Sequence, residues 1–370
     1  MDYITLKDIC RINMGQSPES SSYNESGDGI PFFQGNADFG ERYPITRVWC
    51  NAPTKVASSG DILISVRAPI GALNYAKEKC CIGRGLAAIT PDLSKVSSEF
   101  IYWLLKGKNR ELNTKGTGST FKAIGRKVLE ETLVPDISLE KQIEYATNIE
   151  KVYSLIQMRK EELSKLDNLV KARFVEMFGN EKKLMTMNEV CAIITDGTHQ
   201  PPKFSDAGIP FIFVSNITGD KVTYDAEKFI DQDTYDVLIK RTPIEIGDIL
   251  LSTVGSYGHP AVVKTDKRFL FQRHIAYLKP KKELVDSDYL HGAILSPDAQ
   301  RQIEEGVKGI AQKTLNLSEI KKMKIPVPSL DRQKEFAVFV LQVDKSKAVI
   351  QKSLDEAQLL FDSLMQQYFG

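Results

Sequence analysis

The chain repeats an ordered series of short motifs, and this internal repeat constrains its fold more than any other feature. Residues 60–65 (GDILIS) return as residues 247–252 (GDILLS), and residues 135–146 match residues 326–337 at a constant offset of 191. Further pairs keep the same order: 5–10 with 186–191, 29–33 with 208–212, and 178–179 with 369–370. An ordered set of matches like this predicts two copies of one structural unit.

Each copy consists of a divergent globular part followed by a uniform tail. In the globular parts, short apolar runs such as 62–66 and 260–263 lie between glycine, proline and asparagine residues, which predicts strands. Segments 98–106 and 287–295 predict short helices with serine-type caps. The predicted fold class is therefore α+β, with two globular domains, at 1–136 and 181–328, and two helical segments, at 137–180 and 329–370.

The two tails carry apolar residues at a spacing of seven, which is typical of a coiled coil. The predicted seam of the first tail consists of Ile149, Ile156, Leu163, Val170 and Met177, with Val152 and Leu166 three positions later in the heptad. The predicted seam of the second tail consists of Val340, Leu354, Phe361 and Tyr368, with Val343, Ile350, Ala357 and Leu364. Two such seams can bury each other, and antiparallel pairing would give the chain a pseudo-twofold axis that separates the globular domains. The alternative, that each tail packs only on its own domain, remains open from the sequence.

Composition narrows the class of protein. Hydrophobic residues make up 42% and charged residues 26%, as in soluble globular proteins, and no apolar run approaches the ~20 residues that span a bilayer. The N-terminal residues lack a basic segment followed by an apolar one, so we expect no secretory signal. Five cysteines without C-x-x-C spacing indicate free thiols in a reducing cytosol, and four scattered histidines disfavour a metal site.

The formal net charge of +1 does not by itself indicate a nucleic-acid partner. Residues 1–135 carry 17 basic and 14 acidic side chains, and residues 181–328 carry 20 of each. Any DNA binding would therefore have to come from local patches and loops rather than from a strongly basic domain.

The motifs taken together resemble one known family. Residues 15–18 (GQSP) followed by 29–39 (GIPFFQGNADF) look like one opening of a recognition domain, and residues 196–199 (DGTH) followed by 208–211 (GIPF) look like another. Segments 118–122 (GSTFK) and 309–313 (GIAQK) resemble the loop before each long helix. Over essentially the whole chain, the order domain, helix, domain, helix resembles the specificity subunit of type I restriction–modification systems.

This resemblance implies a subunit that binds double-stranded DNA but neither cuts nor methylates it. Each recognition domain would bind one half of a bipartite site, and the helices would set the spacer and dock two methyltransferase subunits. S-adenosylmethionine, ATP and Mg²⁺ would belong to the methyltransferase and the restriction/translocase partners, with no cofactor bound by this chain. The sequence agrees, because its one Pro-Pro pair lies between Gln200 and Lys203 rather than in an adenine methyltransferase motif, and it lacks a phosphate-binding G-x-x-x-x-G-K loop.

The candidate DNA contacts are polar or cationic side chains on predicted loops. Base edges are recognised by Arg, Asn, Gln and similar side chains, whereas Lys suits the phosphates. The candidates for base contacts are Gln34, Asn36, Arg67 and Arg84 in the first domain and His199, Asn216, Tyr257, His259 and Arg273 in the second. The candidates for phosphate contacts are Lys115, Lys122, Lys308 and Lys313.

Other interpretations compete with DNA recognition. Any one candidate side chain could be an ordinary solvated residue, and His274 fits a packed strand position better than a DNA contact. The whole chain could be a coiled-coil scaffold that assembles partners without recognising DNA, or an enzyme with an unrecognised nucleophile. Sequence-selective duplex binding, partner binding without discrimination and turnover by the isolated chain would separate these three hypotheses.

Overall fold

The computed structural model describes residues 2–118, 122–309 and 313–370. Residues 119–121 and 310–312, which belong to the two loops predicted before the long helices, lie outside the described residues. The chain divides into two compact units, unit 1 with residues 1–159 and 353–370, and unit 2 with residues 160–352. Each unit therefore contains one globular part and a piece of both tails.

Unit 1 mixes strands and helices. Its strands are β1 (Tyr3–Thr5), β2 (Cys10–Met14), β3 (Tyr23–Asn24), β4 (Ile30–Phe33), β5 (Trp49–Cys50), β6 (Val56–Ala57), β7 (Ile62–Ser65), β8 (Leu73–Tyr75), β9 (Cys80–Ile82), β10 (Leu86–Pro91) and β11 (Leu133–Pro135). Its helices are α1 (Leu6–Ile9), α2 (Ser98–Gly107), α3 (Asn109–Thr114), α4 (Arg126–Glu130) and the first part of the tail helix α5 (Leu139–Phe178).

The central sheet of unit 1 is buried on both faces. Its strand order is β2-β10-β7-β8, all antiparallel. Because side chains alternate along a strand, Ile62 and Ile64 face the helices while Leu63 faces a second, five-stranded sheet of order β3-β5-β4-β9-β6. Two covered faces explain why residues 62–64 form a continuous apolar run rather than an alternating one.

Unit 2 repeats this arrangement. Its strands are β12 (Leu184–Thr186), β13 (Cys191–Asp196), β14 (Ile209–Ile212), β15 (Lys228–Ile230), β16 (Ile249–Ser252), β17 (Pro260–Val262), β18 (Leu270–Phe271), β19 (Ile275–Pro280), β20 (Val307–Lys308), β21 (Thr314–Leu315) and β22 (Lys324–Pro326). Its helices are α6 (Met187–Val190), α7 (Gln232–Leu238), α8 (Ser287–Leu295), α9 (Pro297–Gly306), α10 (Leu317–Lys322) and the first part of the tail helix α11 (Leu330–Phe369).

The duplication predicted from the sequence is present in the sheet topology. The main sheet of unit 2 has the order β13-β19-β16-β17, which matches β2-β10-β7-β8 strand for strand. The parallel pair of β14 with β18 likewise matches that of β4 with β9. The predicted short helices are confirmed as α2 and α8, although the cap of α8 is Asp286 rather than a serine. The α+β class is therefore confirmed.

The Gly-Asp pair before each core strand forms a turn, as the sequence predicts. Gly60 and Gly247 have φ of +86° and +95°, a conformation that favours glycine. The Asp61 carboxylate accepts a hydrogen bond from the Ser58 amide at 2.8 Å, and Asp248 accepts one from the Glu245 amide at 2.8 Å. Burial raises the pKa of Asp248 despite its bond from Tyr277.

In unit 1 the start of α5 packs against the end of α11. The rings of Tyr145 and Tyr368 stack with centroids 3.7 Å apart, and those of Tyr153 and Phe361 lie 6.2 Å apart. Partners at increasing positions in α5 meet decreasing positions in α11, so these two segments run antiparallel. Both pack on Trp103 of α2, whose side chain is fully buried.

In unit 2 the end of α5 packs against the start of α11, again antiparallel. Phe336 contacts Phe174 and Phe178 with ring centroids 5.4 and 5.8 Å apart, and Lys347 forms an ion pair with Asp167. Every predicted seam residue is at least half-buried. The most buried are Ile149, Ile156, Val343, Ala357 and Tyr368, and the others, among them Leu163, Val170, Ile350, Leu354 and Phe361, are partly buried. Each tail thus has a partner besides its own globular part. The domain boundaries given above stay predictions.

Gly292 of α8 lies against the aromatic cluster around Phe336, with no room for a larger side chain. A Cβ at Gly292 would lie 2.5 Å from a ring carbon of Phe336, which is itself enclosed by aromatic rings. We expect Gly292→Ala to lower the free energy of unfolding by about 1–3 kcal/mol, since overpacking forces neighbouring groups to shift. Calorimetric unfolding of the chain measures this. The control is Gly219→Ala, where a Cβ meets nothing within 4 Å; equal effects of the two changes would contradict the packing account.

Candidate nucleic-acid interface

In unit 1 three loops meet at one edge of the sheets. They follow β4 (residues 34–36), follow β7 (residues 66–68) and connect β9 to β10 (residues 83–85). The amide of Val66 donates to the Gly85 carbonyl at 2.9 Å, and the amide of Gly83 donates to the Phe33 carbonyl at 2.8 Å. These bonds hold the predicted base-contact residues Gln34, Arg67 and Arg84 on the same edge.

Glycines allow the backbones of these loops in unit 1 to lie in contact with one another. A Cβ at Gly85 would lie 2.3 Å from the Gln34 carbonyl oxygen, and one at Gly15 would lie 2.1 Å from the Gly83 carbonyl oxygen. Both positions exclude side chains because backbone from a neighbouring loop occupies the space. The glycines in GQSP and in the 83–85 turn therefore have a steric role in forming this edge.

The edge of unit 1 contains a cavity of about 340 Å³. Gln34, Asn36 and Arg67 line it together with the backbone of Gly35 and Gly85. Three of the four base-contact candidates of this domain therefore surround one concave space, although they are far apart in sequence. Amide and guanidinium groups of this kind provide the donors and acceptors that recognise base edges.

The cations of unit 1 differ in how far they are paired. The side chains of Arg67, Arg84 and Lys122 are exposed, and within the described ranges none forms an ion pair. Lys115 instead forms an ion pair with Glu111 at 2.6 Å, and this contact lowers the pKa of Glu111. The backbone of Arg67 pairs with Ala123, which places Arg67 beside the Lys122 loop.

Unit 2 forms a corresponding edge from corresponding loops. The Arg273 amide donates to the Thr198 carbonyl at 3.1 Å, the Thr253 amide donates to the His274 carbonyl at 2.9 Å, and Val254 pairs with Thr314. His199, Tyr257, His259, Arg273, Lys308 and Lys313 all lie on loops or strand ends at this edge. His274 lies in the turn before β19 and not within a strand, so its predicted strand position is wrong.

On one side of the unit 2 edge, Asp196 contacts two basic side chains. Its carboxylate lies 2.9 Å from the His199 Nε2 and also forms an ion pair with Arg241. Arg241 was not among the sequence candidates, because it lies after α7 in a segment that has no counterpart in the repeat. Its position beside His199 adds a second donor group to this edge.

Glu304 organises the other side. The Tyr257 hydroxyl donates to Glu304 Oε2 at 2.5 Å, and the Lys313 ammonium donates to Glu304 Oε1 at 3.2 Å. These two bonds hold the pKa of Glu304 below its ordinary value. Two predicted DNA contacts, Tyr257 and Lys313, are therefore held by one carboxylate that the sequence did not single out.

Asn216 has a structural role, which corrects its assignment as a base contact. Its side chain is buried, accepts from the Phe213 amide at 3.0 Å and donates to the Asp225 carbonyl at 3.1 Å. It occupies the third position of a 3₁₀ turn, the position that Asp38 has in unit 1, where the carboxylate accepts from the Gln34 amide at 2.7 Å. Its donors and acceptors are used inside the domain.

Among the described residues, no group of three or more His, Cys, Asp or Glu side chains is placed to hold a metal ion. The five cysteines are buried free thiols, and burial raises the pKa of Cys10 and Cys191 to about 12. Within the same ranges no helix combines the length and the apolar character needed to cross a membrane.

Residues 1–168 and 180–359 match the family model described as the type I restriction modification DNA specificity domain. The chain belongs to this family. The two matched ranges are the two copies of the internal repeat, and the resemblance noted from the motifs is confirmed.

Relatives in the family match over different shares of the chain. The type I restriction enzyme EcoBI specificity subunit of Escherichia coli is 22% identical over 402 residues, covering 98% of this chain and 83% of that protein. A Methanocaldococcus jannaschii protein, provisionally named the type I restriction enzyme MjaX specificity subunit, is 43% identical over 161 residues. That alignment spans 44% of this chain and 38% of the relative.

Solved structures share the fold. The S subunit of a type I restriction–modification system from M. genitalium has a TM-score of 0.55 at 14% identity, covering 100% of this chain and 96% of that one. A chain from a study of complex assembly and conformational transition of a type I system has a TM-score of 0.57 at 17% identity, covering 100% and 97%. At these identities the likeness establishes the fold alone.

The structural role of Asn216 can be tested by measuring how its replacement changes the stability of the chain. We expect Asn216→Ala to lower the free energy of unfolding by about 1–3 kcal/mol, because it leaves buried partners unsatisfied. Asn36→Ala is the matched control, and a change within about 0.5 kcal/mol is expected there because Asn36 lines an open cavity. Thermal unfolding of both variants measures the difference. A neutral Asn216→Ala would contradict the structural role.

Proposed function

We propose that this specificity subunit binds a bipartite DNA target, with the edge of each unit recognising one half. The observation that carries the proposal is the pair of corresponding loop edges, one in each repeat, formed by topologically equivalent strand ends. In unit 1 the cavity lined by Gln34, Asn36 and Arg67 is the proposed base-contact surface. In unit 2 it is the surface that carries His199, Arg241 and Arg273.

Protein–DNA complexes use two kinds of contact: side chains that contact bases determine which sequence is recognised, and side chains that contact phosphates fix the position of the protein on the duplex. Each edge carries candidates for both kinds of contact. Arg67 and Arg84 suit guanine, and Gln34 and Asn36 suit adenine. Lys122, Lys308 and Lys313 flank the edges and suit phosphate contacts, and Lys115 would first have to leave Glu111. His259 lies in the hairpin before β17, beside Tyr257, and belongs to the same proposed surface.

We infer that the tail helices separate the two recognition domains as an antiparallel coiled coil with a pseudo-twofold axis. The contacts in each unit support this, because each joins the beginning of one tail to the end of the other. Each helix has 40 residues, or roughly 60 Å at 1.5 Å per residue. That length exceeds the roughly 34 Å between half-sites one DNA turn apart, so it can set a spacer.

The proposed partners follow from family membership and the exposed surface of the helices. Two methyltransferase subunits would dock on the helical segments, and restriction/translocase subunits would join that core in the cytoplasm. Catalysis, with S-adenosylmethionine, ATP and Mg²⁺, would belong to those partners, and this chain would contribute recognition only. The scaffold alternative gives no role to the cavity and the exposed arginines at the two edges.

An exchange of one domain tests the proposal. Replacing residues 181–328 with the same region of another family member should change one half of the methylated sequence and leave the other half and the spacer unchanged. The reciprocal exchange of residues 1–136 is the matched control and should change only the other half. Methylome sequencing of cells that express the subunit with its methyltransferase gives the result. Changes in both halves from one exchange would refute the modular account.

A further inference from the structure

Three side chains of unit 2 form a small network at the edge proposed to contact DNA. The Tyr257 hydroxyl and the Lys313 ammonium both donate to the Glu304 carboxylate, at 2.5 and 3.2 Å. Lys313 also lies 3.4 Å from the Tyr257 oxygen and 5.8 Å from its ring centroid. Lys313, one of the proposed phosphate contacts, is therefore already paired with a carboxylate of the same unit.

The repeat supplies an internal comparison. Gly71 and Gly258 each follow the serine of the core strand by six residues, so Ile70 corresponds to Tyr257. The offset of 191 then relates Lys122 to Lys313 and Asn113 to Glu304.

The structure supports this correspondence. A Cβ at Gly71 would lie 2.6 Å from the Asn109 side chain of α3, and one at Gly258 would lie 3.3 Å from the side chain of Gln300 in α9, which is Asn109 shifted by the offset of 191.

The corresponding positions of unit 1 therefore lack both the carboxylate and the hydroxyl. Asn113 donates to the Ile70 carbonyl at 2.8 Å and cannot neutralise a cation. Lys122 is exposed and forms no ion pair with the residues that the structure describes. The asymmetry is chemical rather than topological, since the backbone pairing of Arg67 with Ala123 and of Val254 with Thr314 is equivalent.

We propose that Glu304 restrains Lys313 and Tyr257, so that Lys313 contacts a DNA phosphate only on the cognate half-site of the second domain. The inference rests on the proposed DNA-binding function. On a non-cognate duplex, where binding comes almost entirely from phosphate contacts, Lys313 stays paired with Glu304. On the cognate half-site, base contacts offset the loss of the Glu304 pair, and Lys313 moves to a phosphate. Glu304 thereby acts as a positioning residue that lowers sequence-independent binding.

Glu304→Gln removes the charge but keeps the size and an acceptor oxygen. In the complex assembled with its methyltransferase subunits, we expect this variant to bind a non-cognate duplex about two- to five-fold more tightly, the range that an exposed ion pair supports. The slope of log K against log salt should steepen by about 0.9, which corresponds to one additional phosphate contact. A purely structural role of Glu304 would not produce this salt dependence.

The matched control is Glu305→Gln, which removes the same charge one residue along α9 from a side chain that is exposed and forms no ion pair with the described residues. We expect it to change neither the affinity nor the salt slope to a comparable degree. The double variant Glu304→Gln with Lys313→Ala should lose the gain, because Lys313 is the group that Glu304 restrains.

The outcomes separate the inference from the proposed function. Equal effects of Glu304→Gln and Glu305→Gln, or a gain that survives in the double variant, would overturn the inference while leaving DNA recognition intact. A complex that does not distinguish its cognate duplex from others, in any variant, would refute the proposed function itself. Binding isotherms by fluorescence anisotropy at several salt concentrations supply all of these measurements.

Discussion

The burial of the apolar seam of each tail helix against a segment of the other tail is the interaction on which the structure depends. In unit 1, Tyr145 of α5 stacks on Tyr368 of α11. In unit 2, Phe174 of α5 packs against Phe336 of α11. Unit 1 combines residues 1–159 with residues 353–370, and unit 2 (residues 160–352) contains the end of α5 together with the start of α11. Each globular part therefore depends on a helix that belongs to the other repeat, which explains why the tails are uniform while the globular parts diverge.

The sequences of the two repeats differ most in the loops, where packing restricts the side chains least. The core strands β7 and β16 are covered on both faces, so their side chains serve packing and their sequences remain nearly identical. The loops at their ends are constrained at glycines such as Gly85, where backbone from another loop approaches, and at side chains such as Asn216 that bond to the loop backbone. The remaining loop positions can vary without disturbing the sheet, as is expected of a scaffold that presents different recognition surfaces.

The sequence predicted the repeat from its ordered motif matches, the core strands and the fold class from short apolar runs between turn residues, and the tail seams from the spacing of seven. It did not predict which polar loop residues are free. Asn216 and Asn36 look alike in sequence, but only the structure shows that Asn216 caps a 3₁₀ turn as Asp38 does. Arg241 and Glu304 were missed because their roles come from contacts with distant residues, Asp196 and Lys313, that no local pattern indicates.

The proposal that the tail helices set the length of the DNA spacer is tested most directly by changing the length of these helices. Removing one heptad from each of α5 and α11 keeps the seam in phase and shortens each helix by roughly 10 Å. Methylome sequencing should then show both half-sites retained and the spacer between them shortened by about three base pairs, at roughly 3.4 Å per pair. An unchanged spacer in a folded, active complex would contradict the account.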